Sequence, residues 1–64
     1  MPSRPLTPKE ASALKRRFRL KRLPTTRRAR LNLSDRVMDE FTWMDTKQGY
    51  EFWESIYAAL GGPL

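Results

Sequence analysis

Residues 33–60 read LSDRVMDEFTWMDTKQGYEFWESIYAAL, and the spacing within this stretch decides the fold. Ser34 stands between Leu33 and Asp35. That is the order of a hydrophobic staple residue, an N-cap and a first-turn acid, with Met38 placed to meet Leu33. A helix is predicted from Asp35 to about Met44, with Val37, Met38, Phe41 and Met44 on one face and an Arg36–Glu40 pair at i, i+4 on the other. Asp45, with Gln48 three residues on, repeats a capping-box pattern and starts a further helix. Phe52, Trp53, Ile56, Tyr57 and Leu60 line its buried face, and Gly61-Gly62-Pro63 ends it. Gly49 fits this helix poorly, since glycine in a helix interior costs roughly 1 kcal/mol relative to alanine. Either the helix begins after it or another backbone comes close. Together the two helices make a hairpin with an aromatic core.

Upstream, Leu6-Thr7-Pro8-Lys9-Glu10 supplies an N-cap threonine, a proline at N1 and a glutamate at N3. This helix is expected to run to about Leu23, before Pro24, with Pro24-Thr25-Thr26 as a break. Ala11, Leu14 and Phe18 form its apolar stripe, which fails afterwards, because Leu20 and Leu23 fall on the opposite side. Residues 28–33 alternate polar and apolar side chains and are expected as an extended connection, since a lone strand cannot satisfy its backbone. Paired with a second chain they would resemble a ribbon-helix-helix repressor, with Arg28, Arg30 and Asn32 facing bases. The following helix is short for that family, and the connecting turn lacks its glycine. The expected class is therefore all-α with three short helices. Residues 1–33 form a basic helix and arm that need not be ordered without a partner, and residues 34–64 form an acidic-aromatic hairpin.

Charge divides the chain at the same place. Of 64 residues, 13 are Lys or Arg and 7 are Asp or Glu, a net charge of +6. Residues 1–33 hold eleven of the bases against the single acid Glu10, whereas residues 34–64 hold two bases against six acids. Six of the seven aromatics also lie in the acidic half. Lys15, Arg16, Arg17, Arg19, Lys21, Arg22, Arg27, Arg28 and Arg30 crowd into one segment, where like charges at i, i+3 and i, i+4 repel. Phosphates reverse that sign, release counterions and match guanidinium forks, so these nine residues are the expected nucleic-acid contacts, with DNA favoured over RNA.

The composition also excludes much. Without cysteine or histidine there is no disulfide, no zinc site and no His-assisted nucleophile. Asp35 with Asp39, and Glu51 with Glu54, are read as solvated or salt-bridged rather than metal-binding. No glycine-rich phosphate loop precedes a helix. Neither an enzyme nor a cofactor is expected. No stretch has the 18 or more apolar residues of a membrane span, and the first residues lack the apolar run of a secretory signal, so no membrane partner and a cytoplasmic location are expected. A core this small leaves room for a homodimer.

Phe41-Thr42-Trp43 and Phe52-Trp53 frame the pattern F-x-W-x-x-T-x-x-G-x-x-F-W. Over residues 41–53 the chain resembles short bacteriophage proteins of accessory type. The resemblance implies a phage or prophage product that controls DNA or a host enzyme, in the host cytoplasm, and it carries over no residue roles. Trp43 falls off the face shared by Val37, Met38 and Phe41. An exposed tryptophan beside acids would be a protein-binding hot spot. The alternative function is accordingly a protein-interaction module, an inhibitor or adaptor docking on a host nucleic-acid enzyme through Trp43, Phe18 and Leu14.

Overall fold

The computed structural model describes residues 4–62. These form three helices, α1 (Pro8–Phe18), α2 (Arg27–Phe41) and α3 (Lys47–Ala59), with no strand among the described residues. The chain is all-α, as its periodicity predicts.

The capping box opens α1 as expected. The Glu10 amide donates to Thr7 Oγ1 at 3.2 Å, and the Thr7 amide donates to Glu10 Oε1 at 3.1 Å. The helix nevertheless stops at Phe18, five residues before the expected end. Arg19 takes a left-handed conformation (φ 55°, ψ 46°), and the Leu20 amide donates to the Lys15 carbonyl at 2.9 Å. The cause lies in the stripe that fails after Phe18. On a continuing helix Leu20 and Leu23 would face away from Leu14, whereas the reversal at Arg19 lets both pack against the core.

Upstream of residue 34 the structure departs most from expectation. Arg28–Leu33 is neither strand nor extended connection, because α2 begins at Arg27 with Thr26 as its N-cap, whose hydroxyl accepts the Ala29 amide at 3.1 Å. Ala29, Leu33, Val37 and Phe41 recur every four residues, so the helical stripe continues through the segment whose alternation suggests a strand. Ser34 is no cap. It is buried in mid-helix and donates to the Leu31 carbonyl at 2.6 Å. The division between residues 33 and 34 thus falls inside α2, which ends at Phe41 rather than Met44.

Thr46, not Asp45, caps α3 and accepts the Gly49 amide at 3.1 Å. Gly49 is at N3, where a Cβ would come within 2.8 Å of the Thr46 hydroxyl. The close neighbour is a capping side chain, not a backbone. At the other end Gly61 has φ 91° and the Gly62 amide donates to the Tyr57 carbonyl at 3.0 Å, which closes the helix. Pro63, the last residue of the expected stop, lies outside the described residues.

Helices α2 and α3 run antiparallel. Phe41 near the end of α2 meets Tyr50 near the start of α3, while Arg30 near the start of α2 reaches Ala59 at the end of α3. Leu33, Val37, Phe41, Trp53, Ile56, Tyr57 and Leu60 fill the hairpin, and Leu14 of α1 completes the core. Each such side chain contributes about 1.5–3 kcal/mol on burial. Phe52 and Met44 are partly buried against this cluster, while Met38 is exposed. Side chains hold α1 onto the hairpin: Phe18 meets Trp53 edge-on with ring centres 6.1 Å apart, and Arg4 and Ser55 both donate to Glu10. The radius of gyration, 10.7 Å, is that of one compact domain of this length, about 10–11 Å. The basic segment is part of that domain.

Candidate nucleic-acid interface

The early stop of α1 and the early start of α2 spread the basic residues over the end of one helix, the connection and the start of the next. Lys15 and Arg16 stand in the last turn of α1, Arg19, Lys21 and Arg22 on the connecting turn, and Arg27 and Arg28 in the first turn of α2. All seven are exposed, and among the described residues none has an ion pair, a side-chain hydrogen bond or a cation–π contact. In α1 they suit the helix dipole, whose C-terminal end favours cations. In α2 they oppose it. The first turn of α2 holds Arg27 and Arg28 and no acid, so anions near this turn would relieve both the dipole mismatch and the mutual repulsion.

Two of the nine expected contacts are committed elsewhere. Arg17 directs Nε and Nη2 to Glu40 Oε2 at 3.2 and 2.6 Å. Arg30 donates from Nη2 to the carbonyls of Ala59 at 2.9 Å and Arg4 at 3.1 Å, while its buried Nε has no protein partner. It caps a helix-terminal carbonyl of α3 and is a structural residue. Neither role is visible in a linear charge count, which cannot show that position 30 lies beside the end of α3.

Arg36 departs from expectation in the opposite direction. It does not pair with Glu40, which Arg17 holds; its guanidinium carbon sits 5.0 Å from the centre of the Phe18 ring. From there Arg36 lines an open groove of about 510 Å³ between the α1–α2 connection and α2. Leu20, Leu23, Pro24, Ala29 and Leu33 supply its apolar lining, with Arg22, Asn32 and Arg36 the larger polar side chains. The sequence signal for this groove is the pair of leucines that leave the α1 stripe.

Of the three expected protein-docking residues, only Trp43 is on the surface. Leu14 is wholly inaccessible, and Phe18 is half-buried between Trp53 and Arg36, so both belong to the packing of α1. Trp43 is 84% exposed in the α2–α3 connection, at the far end of α2 from Arg27 and Arg28. Met38 and Tyr50 are also exposed.

A third feature holds the chain before α1. Arg4 donates to both carboxylate oxygens of buried Glu10 at 2.8 Å, and its Nη2 also donates to Ser55 Oγ at 2.8 Å. The guanidinium hydrogen bonds, aided by the Thr7 amide against the cost of burial, hold the Glu10 carboxyl down at about 2. The same pair pushes Arg4 up. Among the described residues no group of three or more acidic side chains could hold a metal ion, and no helix is long and apolar enough to cross a membrane.

Compared with known proteins, the chain matches no family model, no curated protein and no solved structure. Its functional reading rests on its own residues.

Proposed function

We propose that the protein is a small nucleic-acid-binding accessory protein that holds phosphates through Lys15, Arg16, Arg19, Lys21, Arg22, Arg27 and Arg28. One observation carries this reading: these seven exposed cations, spread over the end of α1, the connection and the start of α2, have no anionic partner among the described residues. Acids elsewhere on the chain neutralise Arg4 and Arg17 but not these. Phosphate oxygens supply the missing countercharge, and release of condensed counterions drives association. The resemblance of residues 41–53 to short phage proteins of accessory type is in keeping with an accessory role.

Fluorescence anisotropy with duplex DNA, single-stranded DNA and RNA across a salt series tests the reading. The log–log slope should correspond to roughly five or more phosphates on at least one of the three, with DNA expected to bind best. Replacing Arg16, Arg19 and Arg22 together by glutamine should flatten the slope by about 2–3 and weaken binding to all sequences alike. Arg17→Gln should leave it nearly unchanged. An unaltered slope in the triple variant, or binding that vanishes for all three at physiological salt, would overturn the assignment.

The exposure of Trp43 favours a second role, docking on a protein surface.

A further inference from the structure

The fold leaves two apolar features without a partner, and they differ in kind. One is the convex indole of Trp43, 84% exposed at the α2–α3 connection. The other is the concave groove of about 510 Å³ lined by Leu20, Leu23, Ala29 and Leu33. An indole is a large, rigid apolar plate with a single N–H donor, and it anchors interfaces by entering a desolvated pocket. The groove has the complementary character. Its lining is aliphatic, and the Asn32 side chain beside it offers an amide oxygen that can accept the indole N–H.

Charge selects between occupants. Arg22 and Arg36 stand at the groove, with Arg19 and Arg27 adjacent in the chain. Trp43 is flanked by Asp39 and Asp45, both exposed and with no ion pair among the described residues. Glu40 is held by Arg17 and Asp39 shares a depression with Arg17, Arg19 and Arg36, so Asp45 is the acid that belongs to the tryptophan side alone, while the groove carries Arg22 and Arg36. Like ends repel, which disfavours a two-fold dimer through either surface, whereas unlike ends attract. A molecule cannot satisfy itself. Ala29 lies in the first turn of α2 and Trp43 beyond its last, and a helix of 15 residues spans about 22 Å.

We infer that the Trp43 indole of one molecule occupies the Leu20–Leu23–Leu33 groove of a second copy, so that chains associate head to tail. The contact is heterologous. An open assembly of any length keeps one free indole and one free groove, at its two termini, unless a ring closes. Lys15 and Arg16 do not line the groove and stay available to phosphates when it is filled. The inference does not rest on nucleic-acid binding and is tested without nucleic acid.

Sedimentation equilibrium of the full chain at low salt is the first measurement. Mass should rise with concentration, and the emission of Trp43 should shift to the blue as the indole is buried, since Trp53 is already buried in the monomer. Two variants then separate the ends. Trp43→Ala removes the indole and keeps the groove, while Ala29→Phe fills the groove and keeps the indole. Circular dichroism must show both folded, and if Ala29→Phe is not, Asn32→Trp blocks the same groove from an exposed helical position. Each variant alone should be monomeric. Mixed, they should form a one-to-one heterodimer and nothing larger, because each molecule has one working end. Replacing Asp45 by asparagine should weaken wild-type association several-fold.

A single monomer mass at ~0.5 mM chain, where an interface of Kd near 0.1 mM would be mostly occupied, overturns the inference. So does association of the wild type with no heterodimer in the mixture. A groove that instead takes an unstacked base would reveal itself as Ala29→Phe weakening single-strand binding in a strictly monomeric protein. A groove that takes an acidic aromatic peptide of another protein would leave the wild type monomeric as well. Both outcomes overturn self-association.

Discussion

Arg19 occupies a left-handed backbone conformation that costs an ordinary L-residue roughly 1–2 kcal/mol and glycine almost nothing. A glycine would end α1 more cheaply, yet the position carries one of the seven unpartnered cations. Arg19→Gly is expected to stabilise the fold by about 0.5–1 kcal/mol, part of the gain being lost to the greater freedom of glycine in the unfolded chain. It should at the same time reduce the salt slope of nucleic-acid binding by about 1. Thermal melts and anisotropy on the same preparation check the opposed effects; a loss of stability would show that the Arg19 side chain holds the turn. Glu10 presents a different balance at the same scale. Its carboxyl is held at about 2 in the fold against an ordinary 4.5, so the unfolded chain takes up the proton first as the pH falls. The stabilisation is present in full above pH 4.5 and is lost as the pH falls from there through about 2. Arg4 is 42% exposed, so water screens the pair, and Glu10→Gln should cost only about 1 kcal/mol at neutral pH. The variant's melting temperature should then vary less than the wild type's between pH 5 and pH 2, and parallel curves would rule out Glu10 as the titrating group.

At the scale of the element, α2 depends on Thr26 for its start. The two residues that follow are arginines at the wrong end of a helix dipole, and no acid offsets them. The hydroxyl of Thr26 is the side-chain acceptor of the Ala29 amide, so Thr26→Ala should destabilise the protein by about 1 kcal/mol and fray residues 27–30. Helicity by circular dichroism and exchange rates of the Ala29 and Arg30 amides measure this; unchanged exchange would mean that packing of Leu33 and Val37 alone sets the helix start. The same element marks how far sequence reasoning reaches. The capping box at Thr7 and Glu10, the hairpin, and the burial of Phe41, Trp53, Ile56, Tyr57 and Leu60 were all legible, because each depends on contacts within a few residues or on one helical period. The start of α2 was not. Ser34-Asp35 has the form of an N-cap, and only the burial of Ser34 against its own Leu31 carbonyl shows it in mid-helix. At the candidate site the identity and crowding of the bases could be read directly. The diversion of Arg17 to Glu40 and of Arg30 to Ala59 joins positions 23 and 29 residues apart, which no local pattern encodes.

At the scale of the whole molecule, the seven unpartnered cations run from the end of α1, which packs beside Arg36 and Glu40, through the connection to the start of α2, and no acid among the described residues pairs with them. Salt should therefore act with opposite signs on two properties. In the free protein the repulsion among Lys15, Arg16, Arg19, Lys21, Arg22, Arg27 and Arg28 opposes folding, and screening weakens it over a Debye length of about 10 Å at 0.1 M. The ion pairs that screening also weakens, Arg17–Glu40 and Lys47–Glu51, are exposed and contribute about 0–1 kcal/mol each. The melting temperature of the free chain should rise by a few degrees between low and moderate salt, since about 1 kcal/mol shifts a domain of this size by about 4–8 °C. With a nucleic-acid ligand present the order reverses. Phosphates neutralise these bases and stabilise the native state by mass action, and salt removes that stabilisation as it weakens binding. Two melts in parallel salt series, one with ligand and one without, should converge at high salt from opposite directions. A free chain that salt destabilises would show that the bases do not repel one another in the fold, and the case for a phosphate partner at these residues would fall with that result.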